Sequence, residues 1–192
     1  MPYPPVVMAA PPPLVLVGGP PAGGKTTVAL ALARGLGLPL LEKDRIKEAL
    51  MDTLDSSTFE RSRELGRATF PVLWALAART VEVGVGAVVE ANFDREGLVA
   101  ELARLPPSRP VMIHCSAPEE ELLARYRRRA AGRHPGHQDH DIRRLEAIRE
   151  GLCLGRFEPP DLPLVLRVDT SEPVALDAVV GWALAAIRAP AC

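Results

Sequence analysis

The chain has 192 residues, a formal net charge of −1 and only three cysteines. That length can bury one core without disulfides or structural metals, and a near-neutral charge supplies no global drive towards nucleic acid or an anionic membrane, leaving room only for a local basic site. Cys115, Cys153 and Cys192 are far apart, odd in number and in no CxxC pair, which argues against a disulfide framework or a zinc ribbon and fits a reducing cytoplasm.

The proline-rich start, residues 1–13, has neither a basic segment nor a long apolar run and reads as an extended leader, not a signal peptide or membrane span. Leu14 to Val17 is a short apolar strand that runs into a glycine-rich turn, and Thr26 to Leu36 then repeats apolar residues at helical spacing. Leu38 to Leu41 is a second strand, followed by a helix from Asp44 to Leu54 with Asp44 as its N-cap. Phe59 to Gly84 is a long helix. Ala87 to Val89, running on into Glu90, is a third strand, and Arg109 to Cys115 a fourth, each followed by a helix, about 95–105 and 118–131. A polar, histidine-rich stretch, Gly132 to Asp141, precedes a helix over 142–151. Leu164 to Val168 is the fifth strand and 173–187 a closing amphipathic helix. Apolar strands alternating with helices predict an α/β fold with a five-stranded parallel sheet covered on both faces, one domain spanning 1–192, with ligands at the carboxyl ends of the strands.

Gly19-Pro20-Pro21-Ala22-Gly23-Gly24-Lys25-Thr26 matches G-x-x-x-x-G-K-[ST] without a mismatch, with the required strand before it and helix after it. Glycines let the backbone N–H groups curl around a β-phosphate, the helix N-terminus faces the same anion, and Lys25 bridges the β- and γ-phosphates. The Thr26 hydroxyl is a Mg²⁺ ligand. Thr27 either touches the α-phosphate or is an ordinary residue of the first helical turn. ATP is the default nucleotide, with GTP open, since no N-K-x-D motif is present.

With that loop, Glu42-Lys-Asp44-Arg45 after the second strand, Val-Val-Glu90-Ala-Asn92-Phe93 after the third and the arginine-rich Leu123-Ala-Arg125-Tyr-Arg127-Arg128-Arg129, the chain resembles the small P-loop kinases. These include chloramphenicol phosphotransferase, the zeta toxins, the polynucleotide kinase domain and AAA-type ATP-binding kinases. The resemblance implies a three-layer P-loop sandwich with a helical lid over about 118–141. It places a catalytic aspartate at Asp44, which accepts the proton of an attacking hydroxyl; the alternative is that Asp44 only caps its helix, and it could do both. It makes Arg45 a substrate contact. Glu90 stands where such proteins keep an acidic Mg²⁺ support, acting directly or through water, although a glutamate departs from the usual aspartate. Asn92, Asp94 and Arg95 resemble the substrate-side loop, with an ordinary surface loop the alternative for Asp94 and Arg95. The Val168-to-Ser171 loop, with Thr170, resembles the border of the nucleotide base.

Arg125, Arg128, Arg129 and Arg133 share a helix face near the histidines, as in a lid that delivers guanidinium groups to the transferring phosphoryl. A solvated basic face is the alternative for any single one. His134, His137 and His140 invite a zinc reading, but Pro135 and Gly136 break the helix that would align them, so His134 and His137 read as lid-loop substrate contacts. His114, in an apolar strand, reads as a core residue. The resulting expectation is transfer of a γ-phosphate to a hydroxyl of a small molecule, such as an antibiotic of the capuramycin type. A polynucleotide 5′-hydroxyl kinase and an acceptor-free nucleotide switch are the alternatives. No feature of the sequence defines an oligomeric state.

Overall fold

The structure, a computed structural model, describes residues 10–189. Five strands form one parallel sheet in the order β2-β3-β1-β4-β5: β1 (Pro13–Gly18), β2 (Leu40–Glu42), β3 (Ala87–Glu90), β4 (Arg109–Ser116) and β5 (Val165–Asp169). β1 is central, with Val15 opposite Val88 of β3 and Val111 of β4. Most of the proposed leader, residues 1–9, lies outside the described residues. Its end is corrected: Pro13 opens β1, and the Pro12 carbonyl accepts from Arg109 N at 2.8 Å.

The strands carry apolar side chains on both faces because helices cover both faces. Val15 and Val17 pack with Val28 and Leu32 of α1 (Lys25–Leu36) and Val179 and Ala183 of α7 (Leu176–Arg188). Leu14 and Leu16, one residue out of phase, pack with Leu73, Trp74 and Val81 of α3 (Phe59–Glu82) and Leu98 of α4 (Arg95–Leu102). The layers are helix, sheet and helix. The sequence places each of these elements to within a few residues.

Two further helices, α5 (Glu119–Ala130) and α6 (Ile142–Cys153), contribute Leu123, Tyr126 and Ile148 to a third apolar cluster. Its fourth member is Ala22 of the glycine-rich turn, so these helices are anchored directly to that turn. A 3-10 turn, Pro135–His137, joins them and lies against the short helix α2 (Lys43–Met51) through its side chains. The N-cap expected at Asp44 is not there. Glu42 occupies the cap position without a side-chain bond, and Asp44 is the second residue of α2. No described helix is long and apolar enough to cross a membrane.

Candidate active site

The turn after β1 holds its shape through backbone conformations few side chains accept. Gly19 has φ +128°, and a Cβ there would fall 2.0 Å from the Cys115 carbonyl, so only glycine fits. Ala22 adopts the left-handed region at φ 63°, a conformation that costs about 1–2 kcal/mol for an L-residue, and its methyl is buried on Leu123, Tyr126 and Ile148. Gly24 then caps α1 with no side-chain bond, and the first turn of α1 carries no acid. The N–H groups there have no intrahelical acceptor and face a cleft of about 310 Å³, which is the geometry of a phosphate cradle.

Lys25 is buried, and its Nζ donates to the Pro20 carbonyl at 2.6 Å. Burial lowers its pKa, opposed by the charges of Glu90 and Asp44. Thr26 and Thr27 are exposed on the cleft wall. Glu90 closes β3, is 6% exposed, and is pushed up to about 6 by burial, with Lys25 pulling the other way. The hydroxyl of Thr26 and the carboxylate of Glu90 are hard oxygen donors of the kind Mg²⁺ takes, and both line the cleft.

Glu90 has a measurable consequence. Its folded pKa of about 6 exceeds the ordinary 4.5, so the folded chain keeps a proton that the unfolded chain has lost. The stabilisation from protonation is fully present below pH 4.5 and disappears as pH rises through 6, a change of about 2 kcal/mol. Denaturant unfolding at pH 4.5 and 6.5 should reveal most of this difference in the native chain relative to Glu90→Gln, which carries no such proton.

Asp44 faces the same cleft from α2. Burial raises its pKa, but Lys43 (3.2 Å) and Arg133 (2.7 Å) outweigh burial and hold the carboxyl well below the ordinary range. Arg133 also donates to Asp139 at 2.9 Å, and Tyr126 OH donates to the same carboxylate at 2.6 Å. His137 is buried, with Nε2 2.9 Å from Arg133 and 3.0 Å from Glu48. One nitrogen serves one of these at a time. Burial and the Arg133 charge lower the His137 pKa, so the ring is neutral, and its Nε2 either accepts from Arg133 or, in the other tautomer, donates to Glu48 of α2.

A second cleft of about 170 Å³ adjoins the first, and Asp44, Asn92 and Arg129 line both. At this junction two buried polar atoms lack partners, Asn92 Oδ1 and Arg129 Nε. Arg125 and Arg128 line the first cleft and Arg133 and His137 the second.

Four expected contacts lie elsewhere. Arg45 is exposed and leans on Glu48 at 3.6 Å, because consecutive residues of a helix point about 100° apart and Asp44 takes the inward direction. Arg95 is exposed in a surface depression with Arg156. His134 caps the 3-10 turn through Nδ1 and meets Asp52 through Nε2. Thr170 lies beneath the turn, with its hydroxyl donating to the Gly23 or the Ser116 carbonyl while accepting from Arg125. Thr170 thereby holds Arg125, which also donates to the Thr170 carbonyl at 2.7 Å. His114 is a neutral core residue whose Nε2–H donates to Phe157 O at 2.9 Å.

Lys43, Lys47, Tyr126, Asp139 and Arg144 of the second cleft were not singled out from the sequence. A compositional signal did point to two of them: the chain has only three lysines, Lys25, Lys43 and Lys47, and all three line these clefts.

A family profile described as an AAA domain matches residues 14–152. The chain belongs to that family. This AAA-domain chain is 35% identical to a provisionally assigned kinase from Chloroflexus aurantiacus, with a TM-score of 0.84 over 93% of the present chain and 100% of the other. A sugar kinase from Janibacter superposes with a TM-score of 0.60 at 21% identity, over 91% and 93% of the two chains. The APS kinase of Mycobacterium tuberculosis, solved with AMPPNP and APS, does so at 0.58 and 16%, over 94% and 99%. No curated protein matches the chain in sequence. The AAA-domain chain is thus a small P-loop kinase, as its motifs imply.

Proposed function

We propose that this kinase transfers the γ-phosphate of ATP, with GTP the alternative, to a hydroxyl of a small molecule seated in the second cleft. The observation that carries this reading is the wall shared by the two clefts: Asp44, Asn92 and Arg129 stand where a donor on one side and an acceptor on the other would meet. Phosphoryl transfer needs alignment and charge stabilisation more than covalent help from the protein.

The loop from Gly19 to Gly24 wraps the phosphates, and Lys25 exchanges the Pro20 carbonyl for the β- and γ-oxygens. Thr26 and Glu90 would hold a Mg²⁺ ion, which would supply neutralisation of the phosphate charge. Asp44 accepts a hydrogen bond from the acceptor hydroxyl and aims its oxygen at phosphorus. The new O–P bond forms as the bond from the γ-phosphorus to the β–γ bridging oxygen breaks, and the hydroxyl proton passes to Asp44. As so acidic a carboxylate is a weak base, it takes that proton late, once the O–P bond has begun to form. Arg129, with an unpartnered Nε, stabilises charge on the moving group, and Arg125, fixed by Thr170, positions α5 beside it. Residues 118–141 act as the lid of one domain spanning 1–192, and Arg133 and His137 close it on α2. A reducing cytoplasm is the compartment proposed.

The acceptor is found by incubating the protein with Mg²⁺ and ATP or GTP against hydroxylated antibiotics including capuramycin-type nucleosides, sugars, nucleotide sugars and 5′-hydroxyl oligonucleotides, with mass spectrometry for an added phosphate. A phosphorylated small molecule is expected, and a phosphorylated antibiotic would assign a resistance role. Phosphorylation of oligonucleotides alone, or nucleotide hydrolysis indifferent to every acceptor, would overturn the small-molecule reading.

A further inference from the structure

Behind the second cleft, α2, α3 and α6 border a pocket of about 260 Å³ lined by Lys43, Lys47 and Arg144, with the exposed Arg63 and Arg67, and by no carboxylate. Lys47 is 3% exposed, and its Nζ donates to Ser62 Oγ at 3.0 Å. Arg144 donates to the same oxygen at 2.8 Å, and its Nε is buried without a partner. A buried lysine and a partly buried arginine thus converge on one neutral hydroxyl. Among the described residues, none of Lys47, Arg63, Arg67 and Arg144 is paired with a carboxylate. The neighbouring Arg143 shows that acids are at hand: on the exposed side of α6 it binds Asp141 and Glu60 at 2.6 and 2.7 Å.

Cations gathered in a partly desolvated pocket repel one another and lose some hydration, most of all at Lys47, and an incoming anion relieves both penalties. Lys43 and Asn92 join this pocket to the acceptor cleft, which Lys47 and Arg144 also line. We propose that the acceptor is itself an anion, whose carboxylate or phosphate seats between Lys47 and Arg144 while its hydroxyl meets Asp44. This rests on the kinase reading for the hydroxyl, but not for the anion. Asp44 and Lys47 are three residues apart on α2, neighbours on one helix face with Cβ atoms roughly 5–6 Å apart. The hydroxyl and the anionic group are therefore only a few bonds apart, as in a hydroxy acid or a phosphorylated polyol. Burial, with Lys43 and Arg144 adding to it, lowers the Lys47 pKa to about 7, so a bound anion has a titration to move.

With three lysines in the chain, the side-chain ammonium groups are separately visible by NMR in isotopically labelled protein. Mg²⁺ and AMPPNP occupy the P-loop, and inorganic phosphate, acetate or chloride is titrated at equal ionic strength. Phosphate or acetate is expected to raise the Lys47 pKa saturably by at least one unit over chloride, and the stronger of the two identifies the anionic group. Arg144→Met should abolish saturation and Arg144→Lys restore part of it. Identical Lys47 titrations in all three salts would overturn the proposal.

In parallel, acceptors are offered as matched pairs, a hydroxy acid with its amide and a sugar phosphate with its sugar. The charged member should have at least tenfold higher kcat/KM, lost in Arg144→Met mainly through KM. Equal turnover of the neutral members would sink the anion proposal while leaving the kinase intact. An anion that moves Lys47 when no acceptor of any kind is phosphorylated would do the reverse.

Discussion

Replacing Asp44 with asparagine is expected to lower transfer to the acceptor by about 10²- to 10⁴-fold, with nucleotide affinity changed far less. The substitution keeps the volume of the side chain and removes its charge, so the acceptor hydroxyl loses both its orienting partner and the site that takes its proton. Steady-state transfer measured beside nucleotide binding separates the two effects. A loss of less than tenfold in transfer would exclude Asp44 as the acceptor's partner, and acceptor-independent hydrolysis that survives Asp44→Asn would favour a nucleotide switch.

The environment of Asp44 adds a pH signature. Its folded pKa lies below the ordinary 3.8 because Lys43 and Arg133 outweigh burial. The stabilisation from these ion pairs is present above pH 3.8 and is lost as pH falls through the folded value. Transfer should therefore show no acid limb from this residue between pH 5 and 7. The asparagine variant should in turn be less sensitive to acid unfolding than the native chain, since Arg133 and Lys43 no longer depend on an ionised partner.

Lys25→Met should reduce kcat/KM by at least about 10²- to 10³-fold, the loss typical of removing one preorganised donor from a developing charge. Unlike most substitutions of buried residues, it is expected to leave folding intact. Lys25 Nζ is a desolvated cation held by one carbonyl, Pro20 O, and by the charge of Glu90. A methionine fills the same space without needing a counter-charge. Removing the positive charge should also raise the Glu90 pKa further above 6, since Lys25 is the main group lowering it. A thermal midpoint held within a few degrees, together with lost transfer, would locate the effect in phosphate binding. Transfer retained within tenfold would show that the lysine does not reach the phosphates.

The sequence by itself determined what depends on neighbours in the chain. The P-loop is legible because strand, glycines, lysine and helix are consecutive, and the requirement at Gly19 is a backbone property that any correct reading of the motif contains. The alternation of strands and helices was equally legible because hydrophobic period is local. Asp44, Glu90, Asn92 and Arg129 were found through their places after strands or within an arginine-rich helix, and all four line the first cleft.

Adjacency misled where direction matters. Arg45 and His134 stand beside residues of the clefts, yet helix rotation turns one outward and a 3-10 cap engages the other. Thr170 follows a strand end, as expected of a nucleotide contact, but its hydroxyl is taken up supporting the loop and Arg125.

The tertiary structure alone decided which distant groups share a pocket. Lys47, Ser62 and Arg144 come from three helices and meet only because α2, α3 and α6 pack around a common space. A net charge of −1 conceals that cluster, since a sum over the chain carries no information about where its charges lie. Packing brings Lys43, Lys47 and Arg144 to one pocket that no carboxylate lines, so a nearly neutral chain holds a basic pocket.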